Sequence, residues 1–186
     1  MSATNRGGIR RPSDHYPTPE WCTRIVINRI PEYDILDPCA GDGAILRVAK
    51  SMNRRPWAKE LRPECMDALS DVCGPRVRIG DAIADAWPES FAPNMAVVTN
   101  PPFSLAREFV DTYTTRVAAS AFLLRLNFLG SMSRATWWAA NPPAQVLVLS
   151  RRPSFTDDGK TDATEYAWFI WRGRTARGDT RMEVVA

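Results

Sequence analysis

Short apolar runs alternate along the chain with stretches in which apolar side chains recur every three or four positions. The runs at 33–36, 56–59, 77–79, 95–99, 121–126, 146–149 and 166–171 predict seven β-strands. Helical periodicity predicts helices over about 44–52, 62–72, 105–116 and 133–139, the last ended by Asn141-Pro142-Pro143. An earlier helix is expected where Thr18 offers an N-cap, Pro19 takes the first helical position, and Trp21, Ile25 and Arg29 follow at helical spacing. Strands alternating with helices predict a mostly parallel α/β sheet with helices on both faces. The connection 150–165 between the last two strands is too short for a crossover helix with loops at both ends. Those strands therefore pair as an antiparallel hairpin. Only the first and last dozen residues look loosely structured.

Composition narrows the possibilities. The length of 186 residues suits one domain, and 45% apolar against 24% charged residues is enough for a full core. Disorder and a disulfide miniprotein are poor readings. The longest apolar stretch, 117–129, is broken by Arg125 and falls short of the ~20 residues a membrane span needs. Residues 1–12 hold arginines and no apolar signal segment. A soluble protein of a bacterial or phage-infected cytoplasm is expected, with no membrane partner.

The net charge of +3 is small, but Arg6, Arg10 and Arg11 lead the chain and Arg172, Arg174, Arg177 and Arg181 close it. Such ends are either solubilising or contacts for nucleic acid. Cys22, Cys39, Cys65 and Cys73 form no C-x-x-C pair, and His15 is the one histidine, so no metal site is expected. The same histidine count leaves little room for Ser-His-Asp or Cys-His hydrolysis, and no phosphate-binding G-x-x-x-x-G-K motif occurs.

Four strand ends carry candidate chemistry. Asp37-Pro38-Cys39-Ala40-Gly41-Asp42-Gly43 runs from a strand through a glycine turn into a helix. The glycines let a ligand approach the backbone. Leu46 stands where a dinucleotide fingerprint has its third glycine, and Asp37 suits a cationic or hydroxylated ligand. An ordinary strand–turn–helix would read alike. Glu60 lies 19 residues after Gly41, near the spacing of ribose-binding acids, although a lone Glu there is more often solvated. Asp81 ends the third strand, where it can accept from an adenine amino group or cap a helix. The three together describe a pocket for an adenosine-bearing cofactor.

The fourth is Asn100-Pro101-Pro102-Phe103, directly after the strand at 95–99. Two prolines hold the backbone extended, with carbonyls that no helix consumes. The Asn100 side-chain oxygen and the Pro101 carbonyl can then meet one exocyclic amine, and Phe103 can lie flat on a ring. The second copy, Asn141-Pro142-Pro143-Ala144, precedes a strand and lacks the aromatic residue, as a plain helix terminator does.

Together these motifs resemble the S-adenosylmethionine-dependent amino-methyltransferases. Their order resembles the gamma arrangement of DNA adenine-N6 methyltransferases, small phage-type enzymes in particular. The resemblance spans 16–171, between a basic lead-in (1–15) and a basic tail (172–186). It implies a Rossmann-like class I methyltransferase fold, seven strands with an antiparallel last one, and S-adenosyl-L-methionine as cofactor. Tyr16, Thr18 and Pro19 look like the family's N-terminal cofactor motif. By the same resemblance Asp37, Pro38, Ala40, Gly41 and Gly43 hold the methionine part, Glu60 the ribose, and Asp81 and Ala82 the adenine. Asn100, Pro101, Pro102 and Phe103 are the implied catalytic residues, Asn100 also facing the cofactor. Phe155 is the residue implied to face a flipped base, with Arg151, Arg152 and Lys160 available for phosphates. A Phe that tucks its loop onto the core is the other reading.

The expected function is methyl transfer to the N6 amine of adenine in DNA. Because the family's sequence-reading domain has no counterpart here, the target preference should be short or relaxed. Adenine in RNA is the nearest alternative, followed by a protein glutamine amide and a non-catalytic nucleotide-binding module. DNA is favoured over RNA as partner.

Overall fold

The computed structural model describes residues 17–85, 94–156, 161, 163–173 and 179–186. Strands β1 (Asp34–Asp37), β2 (Arg55–Glu60), β3 (Val77–Ile79), β4 (Met95–Thr99), β5 (Ala119–Arg125), β6 (Gln145–Leu149), β7 (Tyr166–Arg172) and β8 (Arg181–Val185) form one sheet. Their order is β3-β2-β1-β4-β5-β7-β6-β8. β7 runs antiparallel to both β5 and β6, and the other neighbours are parallel, as the short 150–165 connection requires.

Helices α1 (Glu20–Ile27), α2 (Ala44–Ser51) and α3 (Met66–Cys73) cover one face of the sheet. On the other lie α4 (Ala106–Tyr113) and α5 (Ala135–Ala140). The central strands β1, β4 and β5 are apolar on both faces because both are covered: Ile35, Val98 and Leu123 point one way, Leu36, Val97 and Phe122 the other. Among the described residues no helix is long and apolar enough to cross a membrane.

Three expectations are corrected. Thr18 does not cap α1. It is buried, and Pro19 stands at the N-cap in an extended conformation, its carbonyl accepting from the Thr23 amide at 3.2 Å. The helix expected over 62–72 opens with a 3-10 turn at Pro63–Cys65, and that expected over 105–116 follows one at Phe103–Leu105. The segment expected as a basic tail ends β7 with Arg172 and then forms β8, an eighth strand parallel to β6. The Glu183 carboxylate holds β8 by a fork onto Arg29, just after α1, at 2.6 and 3.2 Å. Arg6, Arg10, Arg11, His15, Arg174 and Arg177 lie outside the described residues.

Candidate active site

In a parallel sheet the strand order reverses where neighbouring connections leave on opposite faces, and the crevice at the carboxyl ends there is where ligands bind. Here the reversal falls between β1 and β4. β1 delivers Asp37 to that crevice, β2 delivers Glu60 beside it, and β4 delivers Asn100.

Two buried carboxyls tie the three strand ends together. The Asp37 Oδ1 accepts from the Thr99 hydroxyl at 2.7 Å and from the Cys39 amide at 3.0 Å. The Glu60 Oε2 accepts from the Gly41 amide at 2.7 Å, while its Oε1 takes the Arg62 amide and guanidinium at 3.1 and 3.0 Å. The turn between them is shaped by Gly41 and Gly43, whose φ values of 56° and 91° a side chain would strain. Pro38, Ala40 and Gly43 are buried in it, and the Ala40 amide reaches the Lys59 carbonyl at 3.0 Å. Burial pushes the Asp37 carboxyl up to about 7; the Thr99 and Cys39 bonds oppose the shift and the Glu60 charge adds to it.

At the end of β3, Asp81 is exposed and its Oδ1 accepts from the Ile83 and Ala84 amides at 2.8 and 3.1 Å, which holds its carboxyl below the usual range. It therefore has the turn-capping role left open by the sequence. Ala82 is buried, its carbonyl accepting from the Tyr113 hydroxyl at 2.8 Å. Lys59 is fully buried and ties this turn to β2 through the Asp85 carboxylate at 3.0 Å.

Asn100-Pro101-Pro102-Phe103 leaves β4 at the crevice. Pro101 is buried, and Pro102 is extended at φ −53°, ψ 122°. The expectation that no helix consumes either proline carbonyl fails for Pro102, which accepts from the Leu105 amide at 2.9 Å as the 3-10 turn closes. The Phe103 ring carries the Arg125 guanidinium at 4.6 Å and lies 5.8 Å from Tyr166.

Phe155 is not poised to stack on a base in this structure. It is 9% exposed, packed in the core edge-on to Tyr166 at 5.2 Å, because that position lies under the loop against β7. Arg151 and Arg152 are exposed, the first over the Trp21 ring at 4.3 Å and the second paired with Glu165 at 2.6 Å. Tyr16 and Lys160 lie outside the described residues, and Pro19 is half-buried at the start of α1. Sequence reasoning missed Thr99, Arg62, Lys59 and Arg125. Only Thr99 carried a signal, since it ends the strand beside Asp37. Among the described residues no group of His, Cys, Asp or Glu is placed to hold a metal ion.

No family model matches the sequence, and no curated protein matches it. Solved structures do match. A candidate RNA methyltransferase from Pyrococcus horikoshii superimposes with a TM-score of 0.65 at 16% identity, covering 89% of this chain and 92% of that one. The chain has the class I methyltransferase fold. The 23S rRNA methyltransferase ErmE shares this methyltransferase fold with a TM-score of 0.59 at 17% identity over 86% of this chain and 70% of its own. So does the M protein of the type I restriction enzyme EcoKI, with 0.56 at 17% over 79% of this chain and 41% of its own.

Proposed function

We propose that the chain transfers a methyl group from S-adenosyl-L-methionine to the exocyclic N6 amine of adenine in DNA. The observation that carries this reading is the placement of Asn100-Pro101-Pro102-Phe103 at the carboxyl end of β4, where the strand order reverses, one strand from the buried Asp37.

The residues present fit the cofactor. Asp37 is a buried carboxyl whose hydrogen bonds come from uncharged Thr99 and Cys39, so a cationic ligand nearby would favour its ionised form. S-adenosylmethionine is such a cation, and when bound it supplies an electrophilic methyl group on its sulfonium. Asp37 with the turn at Pro38, Ala40, Gly41 and Gly43 would hold its methionine end. Glu60, with lone pairs left beyond its bonds to Gly41 and Arg62, would take the ribose, and Asp81 and Ala82 the adenine edge. Tyr16, Thr18 and Pro19 would close over the same end, as the resemblance implies.

The target adenine leaves its stack at a cost of a few kcal/mol. The Asn100 side-chain oxygen and the Pro101 carbonyl accept the two amine hydrogens, which draws the nitrogen lone pair out of ring conjugation and aims it for in-line attack. Orientation and electrostatics then carry the rate. Phe103 would stack on the base once the Arg125 guanidinium over its ring moves aside. Arg151, Arg152 and Lys160 would take phosphates, and Phe155 packs edge-on to Tyr166. The target preference is short or relaxed. The gamma-like motif order favours DNA, whereas the RNA methyltransferase names of two similar structures favour RNA as the second reading. Tritiated methyl transfer to separate DNA, RNA and protein pools tests the proposal: label in DNA alone supports it, and label confined to RNA or protein overturns it.

A further inference from the structure

Between Asp111 and Asp157 the sequence carries five arginines and not one carboxylate side chain. Four of them, Arg125, Arg134, Arg151 and Arg152, end β5 or lie in the loops that follow β5 and β6, on the same edge of the sheet as Asn100, while Arg116 precedes β5 at the opposite edge. The 126–134 loop within it is built to be stiff. Its amides close two turns, Leu129 onto the Leu126 carbonyl and Gly130 onto that of Asn127, both at 3.1 Å. Arg134 folds back over the Phe128 ring at 4.8 Å and donates to the Phe128 carbonyl at 3.0 Å and to those of Asn127 and Gly130 at 3.4 Å. Phe128 itself stands edge-on to Trp138 at 5.4 Å and to Phe169 of β7 at 6.4 Å. From this braced base the tip projects Met132, 94% exposed, with Leu129 partly exposed beside it.

A single exposed Met is by itself an ordinary surface feature, but on a loop braced in this way its side chain is presented at a fixed place. Apolar side chains, Met among them, are what nucleic-acid-bending proteins drive between base steps. Arginines gathered at one edge of the sheet attract a phosphate backbone, here with Arg152 held by Glu165 at 2.6 Å and Arg134 by the loop's own carbonyls. We propose that the 126–134 loop opens duplex DNA, with Met132 inserted at the base step beside the adenine that leaves the helix for Asn100. This rests on the adenine reading above and adds that the substrate is double-stranded.

The test compares the wild type with Met132→Ser and Met132→Leu, on a duplex oligonucleotide presenting adenine in every nearest-neighbour context and on one of its strands alone. Because Met132 lies in solvent, all three proteins should melt at the same temperature. Serine should slow methylation of the duplex about tenfold while the single strand stays within about twofold, and leucine should restore the duplex rate. Independently of methyl transfer, 2-aminopurine placed in the duplex should brighten on binding the wild type and stay dark with Met132→Ser. Equal rates for wild type and Met132→Ser on the duplex overturn the wedge and leave the adenine reading standing. So does a dimer that falls to monomer in Met132→Ser with both DNA readouts unchanged. No transfer to either DNA by the wild type overturns the adenine reading and the wedge with it.

Discussion

Asp37 is the residue on which a pH dependence can be worked out. Its folded value of about 7 lies above the ~3.9 of an unfolded Asp, so between those values the native state binds the extra proton. Its contribution to stability is therefore present below about pH 4 and is lost as pH rises through 7. Asp37→Asn, which keeps an oxygen for Thr99 and Cys39, should melt several degrees higher than wild type at about pH 8, with the gap closing toward pH 4. Calorimetry should also show S-adenosylmethionine binding tightening through pH 7 in the wild type only, with the variant weaker by about 1.5–3 kcal/mol. Parallel pH profiles for both proteins would show that Asp37 senses no cationic ligand. Asn100→Ala should separate chemistry from binding: cofactor affinity nearly unchanged, methyl transfer down ~10²-fold or more. That Asp37, Glu60 and Asn100 stand at the carboxyl ends of strands was legible because each closes or follows a strand-like run. Phe155 was not, since an aromatic residue in a loop reads alike whether it waits for a base or packs on Tyr166.

Element boundaries show the same division between local and tertiary causes. β3 and β4 fall where the apolar runs place them, and the hairpin of β6 and β7 follows from connection length alone. β8 was hidden because Arg181-Met182-Glu183-Val184-Val185 is short, mixed in polarity and largely exposed on the sheet edge. What holds it is the register with β6 and the Glu183–Arg29 fork, 154 residues apart in sequence. The glycine turn is a case where local and tertiary demands coincide. Gly43 is left-handed at φ 91°, and a Cβ there would stand 3.3 Å from the Leu69 side chain of α3. Gly43→Ala should cost about 1–2 kcal/mol, a fall in Tm of roughly 2–8 °C, by differential scanning calorimetry. An unchanged Tm would mean that the turn relaxes without loss.

Across the whole molecule the sheet's carboxyl edge divides into two halves. Acidic Asp37, Glu60 and Asp81 end β1 to β3 or follow them directly, while Arg125 ends β5 and Arg151 and Arg152 follow β6. A cation on one side and a polyanion on the other would meet at Asn100, although the net charge is only +3. Methylation rates at subsaturating DNA should fall steeply as salt rises, because each phosphate contact made by arginine releases counterions. A rate flat in salt would remove nucleic acid from the account. The most direct test digests unmethylated DNA to nucleosides after incubation with S-adenosylmethionine and either wild type or Asn100→Ala, and weighs the products by mass spectrometry. N6-methyl-2′-deoxyadenosine should appear with the wild type and be nearly absent with the variant. A methyl group on any other atom or base, or equal product from both proteins, would contradict the role given to Asn100 and with it the proposed reaction.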